Sequence, residues 1–153
     1  MILSPNQINE KFNEFFNPDA DNFIAFPESS DAAAEKWGEF VYQVCENVQP
    51  QSSTLQPAKE AFINTFNQMS PVIQNGFTIF QLSFNSFTEI LSQGMVTSGF
   101  NGIAPPTDLP LGFDGLINNN PSIEALNFST TLYNWLKTGT AINIITGVTI
   151  NWV

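Results

Sequence analysis

Pairs of acidic residues are the groups in this sequence best placed for chemistry. Glu10 and Glu14, and likewise Glu35 and Glu39, are four residues apart, which puts both carboxylates of each pair on one face of a helix. Two carboxylates can hydrolyse a glycosidic bond when one of them lies in an apolar cleft that raises its pKa. Both pairs fit a solvated helix face better than such a cleft, and we predict that neither is catalytic.

Candidate metal ligands and nucleophiles are few. Asp19 and Asp21 lie in a Pro-Asp-Ala-Asp-Asn segment similar to a calcium-binding loop, but the Gly and the distal Glu of that loop are missing. Cys45 falls in an apolar helical register, and the chain has no His to activate its thiol. The sequence also lacks a Gly-rich phosphate loop and a G-x-S-x-G turn. We therefore predict no catalytic residue, no metal site and no cofactor.

The charge balance restricts the partners. The chain has 14 Asp and Glu residues against 4 Lys, with no Arg or His, and its net charge is −10. This set contains too few cations to neutralise phosphates, so we expect neither nucleic acid nor an anionic membrane surface as a partner. No stretch approaches the ~20 apolar residues of a membrane span. The first residues lack the cationic and apolar regions of a signal peptide, which predicts a chain that is made in the cytoplasm and kept there until it is assembled.

The length and the order of local signals define the predicted architecture. A chain of 153 residues fits a single domain with its own core. We divide it into an N-terminal helix and loop extension (1–30), a helical core (31–96), an extended arm (97–120) and a C-terminal helix with a β segment (121–153). The predicted fold is mainly α, with four to five helices, a Pro/Gly-rich extended arm and a small C-terminal β hairpin.

Capping residues place the predicted helices. Ser4, Pro5 and Gln7 predict a first helix over residues 5–16. Later helices are predicted to begin near residues 31, 54 and 71, and the last of these ends at a left-handed Gly94. A fifth helix spans residues 121–137 and stops at Gly139. Helical spacing of apolar residues predicts a core built from Trp37, Val41, Val44, Phe62, Phe66, Phe77, Phe80, Phe84 and Leu91.

The region after residue 96 carries the predicted attachment surface. Residues 97–120 are rich in Gly, Pro and Asn but retain large apolar residues, which predicts an arm laid on a protein surface. Alternating β-branched residues in 141–153 predict a hairpin that turns at Thr146-Gly147. This hairpin either adds to the sheet edge of a partner or folds on its own helices. The candidate interface residues are Phe100, Pro105, Pro106, Leu109, Leu111, Phe113, Ile150 and Trp152.

Several short motifs follow one another in order between residues 35 and 153. They are Trp37 and Tyr42; Pro50-x-Ser-Ser-Thr54; Ala58, Ala61, Phe62 and Phe66; Gly94-Met95; Phe100-Asn-Gly102; Pro105-Pro106; Trp135-Leu-Lys-Thr-Gly139; and Gly147 through Asn151-Trp152. By order and spacing they resemble an uncharacterised family of small structural proteins encoded among the head and tail genes of tailed bacteriophages. The chain differs in its richness in Phe and Asn and in its residues 1–30. The resemblance implies a location in the virion without distinguishing head, neck and tail.

These observations favour a non-enzymatic structural subunit of a phage virion that binds other virion proteins and forms a homo-oligomer. One alternative is a soluble acidic regulator or inhibitor of a protein partner, whose negative charge mimics nucleic acid. Another is a carboxylate- or metal-dependent hydrolase built on the N-terminal third, where residues 1–60 hold ten carboxylates and three lysines. Particle composition, protein capture and calorimetry with divalent cations would separate the three.

Overall fold

The predicted mainly helical fold with a small C-terminal β element is confirmed. A computed structural model of the chain describes residues 1–16, 30–72, 76–107 and 121–153, without the side chains of residues 30, 76, 77 and 121–124. The helices are α1 (Pro5–Phe16), α2 (Ser30–Cys45), α3 (Leu55–Met69), α4 (Gly76–Gln93) and α5 (Pro121–Leu136), with a 3-10 helix, Gly94–Ser98, directly after α4. Strands β1 (Phe100–Ile103), β2 (Thr140–Asn143) and β3 (Thr149–Asn151) form an antiparallel sheet in the order β1-β2-β3.

The first helix begins as its capping residues predict. The backbone N–H of Gln7 donates to Ser4 Oγ at 3.4 Å, and the backbone N–H of Ser4 donates to Gln7 Oε1 at 2.9 Å. This reciprocal pair satisfies donors that have no partner within the helix. α1 then buries Ile8, Phe12 and Phe16, so the beginning of the predicted N-terminal extension packs into the common core.

Aromatic rings around Trp37 join the helices into one core. The Trp37 ring lies 4.1 Å from the Phe16 ring on α1 and 4.8 Å from the Phe80 ring on α4, measured between centroids. Phe128 on α5 packs against the same group, 6.2 Å from Phe80. The predicted core residues whose side chains the structure describes are all buried: Trp37, Val41, Val44, Phe62, Phe66, Phe80, Phe84 and Leu91. The side chain of Phe77 lies outside the described part of the chain.

The end of α4 differs from its prediction. Gly94 does not terminate the helix in a left-handed conformation, because the backbone continues as the 3-10 helix to Gly99, whose φ is 83°. Gly94 instead allows a close approach: a Cβ on this residue would lie 2.3 Å from both Ser52 Oγ and Thr54 Oγ1. The prediction was wrong because the constraint comes from residues about 40 positions earlier in the chain.

The β element has three strands, since the beginning of the predicted arm pairs with the hairpin. Gly102 of β1 lies opposite Ala141 of β2, which in turn lies opposite Ile150 of β3. A Cβ on Gly102 would lie 2.3 Å from the carbonyl oxygen of Ser92, so this strand packs directly against the end of α4. Residues 100–103 are therefore part of the sheet and not of a separate arm.

Candidate functional site

The connector between α2 and α3 anchors the sheet end of the molecule. Ser52 Oγ donates to the carbonyl of Leu91 at 2.6 Å, and Thr54 Oγ1 donates to that of Ile90 at 2.5 Å. Both carbonyls belong to the last turns of α4, where acceptors begin to lose partners within the helix. Thr54 uses its hydroxyl in this contact and makes no side-chain cap to α3. The connector thus holds the end of α4 in the position from which β1 starts.

Trp152, a predicted interface residue, belongs to the core. Its side chain is 0% exposed, and its Nε1 donates to the carbonyl of Thr140 at 3.0 Å. The ring covers Gly139 so closely that a Cβ there would lie 2.5 Å from it. The predicted role of Trp152 in partner specificity is therefore wrong for the folded chain, because its ring is already covered. The buried Trp152 agrees with the alternative prediction, in which the terminal segment folds against the helices of the same chain.

The proline pair also packs against the chain itself. Pro105 is buried, whereas Pro106 is exposed and its carbonyl accepts a hydrogen bond from Trp135 Nε1 at 2.9 Å. The next residue, Thr107, accepts a bond from Asn85 of α4 at 3.0 Å. This part of the predicted arm lies on the chain's own helices, so Pro105 is not available as an interface residue. The candidates Leu109, Leu111 and Phe113 lie outside the described residues.

The two remaining candidates, Phe100 and Ile150, line one cleft. It has a volume of about 320 Å³ and is bounded by Gln49, Pro50, Gln51, Ser98, Phe100 and Ile150. Its polar side is rigid, since Gln49 and Val153 exchange two backbone hydrogen bonds of 2.7 and 3.1 Å. None of the six residues has a titratable side chain, so the cleft suits an apolar group flanked by hydrogen-bonding partners and offers no acid or base.

Exposed apolar side chains surround the outer part of the β2–β3 hairpin. The exposed fractions are 51% for Ile144, 93% for Ile145, 57% for Val148, 38% for Ile150 and 43% for Val153. We call these five side chains the hairpin surface. Only Ile150 was among the sequence candidates. The sequence does contain a signal for the other exposed residues near the turn. Apolar residues flank Thr146-Gly147 on both sides, where a turn normally carries polar residues.

The region around the hairpin surface carries no charged side chain in its sequence. Residues 94–107 and 138–153 contain no Asp, Glu, Lys or Arg, although the chain as a whole has a net charge of −10. The nearest cation in sequence, Lys137, places its ammonium 5.1 Å from the centre of the Tyr133 ring on α5. Depletion of charge is typical of the buried centre of a protein–protein interface.

The outer edge of β3 presents backbone groups to the exterior. The N–H of Trp152 donates to the carbonyl of Gly139, and the N–H of Asn143 donates to the carbonyl of Val148, so residues 148 and 152 face β2. Alternation along the strand directs the backbone groups of Thr149 and Asn151 away from β2. Among the strands that the structure describes, none pairs with this outer edge.

Among the residues whose types could do chemistry, Cys45 is buried, and Glu14 and Glu39 form ion pairs. Burial raises the pKa of the Cys45 thiol far above its ordinary value, which disfavours the thiolate. Glu14 pairs with Lys11 at 2.9 Å, and Glu39 pairs with Lys59 at 2.5 Å. Within residues 1–16, 30–72, 76–107 and 121–153, no three His, Cys, Asp or Glu side chains are grouped to hold a metal ion. Asp19 and Asp21 lie outside these ranges.

Comparisons with known proteins identified no relative of this chain. No protein-family model matches the chain, and neither the curated proteins nor the solved structures contain a match. In the described part of the chain, every helix is too short or too polar to cross a membrane.

Proposed function

We propose that this chain is a non-enzymatic structural subunit that attaches to other proteins through its hairpin surface, and that the assembly it joins is a phage virion. The observation that carries the attachment is the grouping of five exposed apolar side chains on a part of the chain with no charged residue. Burying such surface is favourable by about 25 cal/mol per Å², and no charged side chain has to be desolvated with it.

The positions of the phage-like motifs support the virion part of the proposal. The Pro50–Thr54 segment contacts Gly94, the Phe100–Gly102 motif lies in β1, and Gly139 packs under Trp152. Motifs that are far apart in the sequence thus build one junction, and this junction supports the hairpin surface. The residues of the junction hold backbone and rings in place and bring no reactive groups together, as a structural subunit requires.

Particle composition tests the proposal directly. Quantitative mass spectrometry of purified phage particles should detect the chain at a fixed copy number per particle. Ile145→Asp should prevent incorporation, because it places a charge on the most exposed residue of the hairpin surface. Val72→Asp is the matched control: Val72 is also β-branched and 75% exposed, but it lies in the turn after α3.

Two results would contradict this function. Absence of the chain from particles would overturn the virion role. Equal incorporation of Ile145→Asp and Val72→Asp would show that the hairpin surface does not mediate attachment. Capture of a nuclease or polymerase, with no virion protein, would favour the acidic regulator instead.

A further inference from the structure

We propose that the turn of the β2–β3 hairpin, residues 144–148, inserts as a preformed unit into an apolar pocket of a partner protein, and that Asn143 is the residue that positions it. This inference rests on the proposed function, because it states how the hairpin surface meets its partner. Three features of the turn support it: the hydrogen bonds made by Asn143, the acceptors of the backbone N–H groups, and the projection of Ile145 from the rest of the chain.

Asn143 closes the turn through its side chain and its backbone. Its Oδ1 accepts hydrogen bonds from the N–H groups of Ile145 and Thr146, at 3.0 and 2.9 Å. Its carbonyl accepts one from the N–H of Gly147, and its own N–H donates to the carbonyl of Val148, both at 2.9 Å. Asn side chains hold turns in this way because their oxygen replaces a backbone acceptor. The shape of the turn is therefore set before a partner binds, so less conformational entropy is lost on attachment.

Every backbone N–H group from residue 144 to residue 148 donates within the chain. Besides the three that bond to Asn143, the N–H of Ile144 donates to the carbonyl of Gly99 at 3.0 Å, and that of Val148 donates to Thr146 Oγ1 at 3.3 Å. An exposed turn can leave such donors to water, whereas a turn that enters an apolar pocket cannot, because a buried donor without an acceptor is costly. The satisfied donors therefore fit burial. They do not fit strand addition, which requires N–H groups that point outward.

Ile145 determines the chemistry of the pocket. Its side chain is 93% exposed, so the chain itself covers almost none of it, and only a concave partner surface can enclose it. Residues 138–153 carry no charge, so the pocket needs no charged group to pair with them. The turn offers its carbonyl oxygens to a partner, so the rim of the pocket should supply uncharged N–H or O–H donors. The hydrocarbon of a lipid layer supplies no such donors, which favours a protein over a membrane.

Amide hydrogen exchange of the isolated chain, measured by NMR, tests the role of Asn143. Asn143→Ala removes the acceptor of two N–H groups, so exchange at Ile145 and Thr146 should become roughly tenfold faster. Exchange at Trp152, whose N–H donates to Gly139, should stay unchanged. Asn143→Asp keeps the oxygen and should keep both turn amides slow. Equal acceleration at Trp152 would show that Asn143 supports the whole sheet, and equally fast exchange in the native chain and in Asn143→Ala would show that the turn is not preformed; either result overturns the inference.

The size of the side chain at position 145 tests the pocket. Ile145→Trp keeps the position apolar but enlarges it, so a closely packed pocket should reject it, and its copy number in purified particles should fall roughly tenfold. Val72→Trp is the matched control, since Val72 is 75% exposed in the turn after α3 and should be incorporated normally.

Three results separate the pocket from its alternatives. Incorporation of Ile145→Trp equal to that of the native chain would mean that the partner surface is flat, and would overturn the pocket. Binding of the native chain to phosphatidylcholine vesicles would assign the turn to a lipid surface instead. Absence of the native chain from particles would overturn the proposed function and the pocket with it, whereas hydrogen exchange judges the role of Asn143 without a partner.

Discussion

Phe80 occupies the point where rings from four helices meet. It contacts Trp37 on α2, Phe62 on α3 and Phe128 on α5, and its side chain is fully buried. Removing the ring would leave a cavity that none of these rigid neighbours can fill by a simple rotation. Its contribution to stability therefore exceeds the transfer free energy of the ring alone.

We predict that Phe80→Ala lowers the free energy of unfolding by about 3 to 5 kcal/mol. Leu82→Ala on the same helix is the control, because Leu82 is 38% exposed and should cost about 1 kcal/mol or less. Urea denaturation followed by circular dichroism measures both. A cost for Phe80→Ala below that of Leu82→Ala would mean that the ring cluster does not hold the helices together.

Position 94 requires a glycine because the neighbouring Ser52 and Thr54 side chains leave no space for a Cβ, and not because of its backbone conformation. We predict that Gly94→Ala destabilises the fold by about 1 to 3 kcal/mol, since the new methyl group would displace two hydroxyls that bind α4. Gly38→Ala is the matched control within α2. Its Cβ would lie 2.8 Å from Cγ1 and 3.1 Å from the terminal Cδ1 of Ile63, so one apolar side chain must shift but no hydrogen bond is lost, and the higher helix propensity of Ala offsets part of the cost. Thermal denaturation should show a larger loss for the first variant than for the second.

The roles of single glycines show where prediction from sequence stops. Gly94 and Gly139 follow helical segments, and sequence rules assign such positions to helix termination. In the structure, each lies under a side chain from another part of the chain, Ser52 in one case and Trp152 in the other. No local pattern contains that information. The same limit applies to Trp152, whose alternating context fits an exposed strand and a buried one equally well.

At the scale of elements, the helices were predictable because their signals are local. Capping residues and apolar spacing lie within each segment, and α1 begins and ends at the predicted residues. β1 was missed, because its partner β2 begins about 40 residues later and Gly102 weakens the strand pattern. Of the predicted interface, Phe100 and Ile150 meet in one cleft, while most of the exposed hairpin residues were overlooked.

The ion pair between Glu39 on α2 and Lys59 on α3 makes a pH-dependent contribution to the free energy of unfolding. The Lys59 ammonium on α3 donates to Glu39 on α2, and this hydrogen bond, with a second from Gln43, lowers the pKa of the Glu39 carboxyl. The unfolded chain therefore takes up the proton first as the pH falls. The stabilisation is fully present above the pKa of the unfolded carboxyl, about 4.3, and is lost as the pH falls through the lower folded value.

We predict that Glu39→Gln costs at most about 1 kcal/mol near neutral pH, because the side chain is 35% exposed and solvent weakens the pair. The difference from the native chain should diminish as the pH falls below the pKa of the unfolded carboxyl and disappear below the lower pKa of the folded one. Glu35→Gln, an exposed position on the same helix, controls for the change in net charge. Denaturation series at several pH values measure the effect. A difference that persists in acid would mean that the Glu39 charge is not responsible.

For the whole molecule, charge is distributed unevenly along the chain. The N-terminal 60 residues hold a net charge of −7, and the two segments that build the sheet hold none. The proposed attachment through the hairpin surface therefore buries apolar side chains without an ion pair, while the acidic regions act only at long range. These two contributions respond differently to salt, because ions screen the charges and leave the burial of apolar side chains intact.

Salt should consequently not weaken the proposed attachment. Raising the ionic strength from about 0.01 M to about 0.15 M shortens the screening length from roughly 30 Å to 8 Å, and we predict that purified particles retain the chain at an unchanged copy number across this range. Quantitative mass spectrometry of particles washed at each ionic strength measures it, with Ile145→Asp as the variant that should be absent throughout. Attachment to a basic partner through carboxylates would show the opposite behaviour, since salt weakens attraction between unlike charges. Release of the chain as salt is added would therefore mean that its carboxylates hold it in place, and the contact would have to lie on another face of the molecule than the hairpin surface.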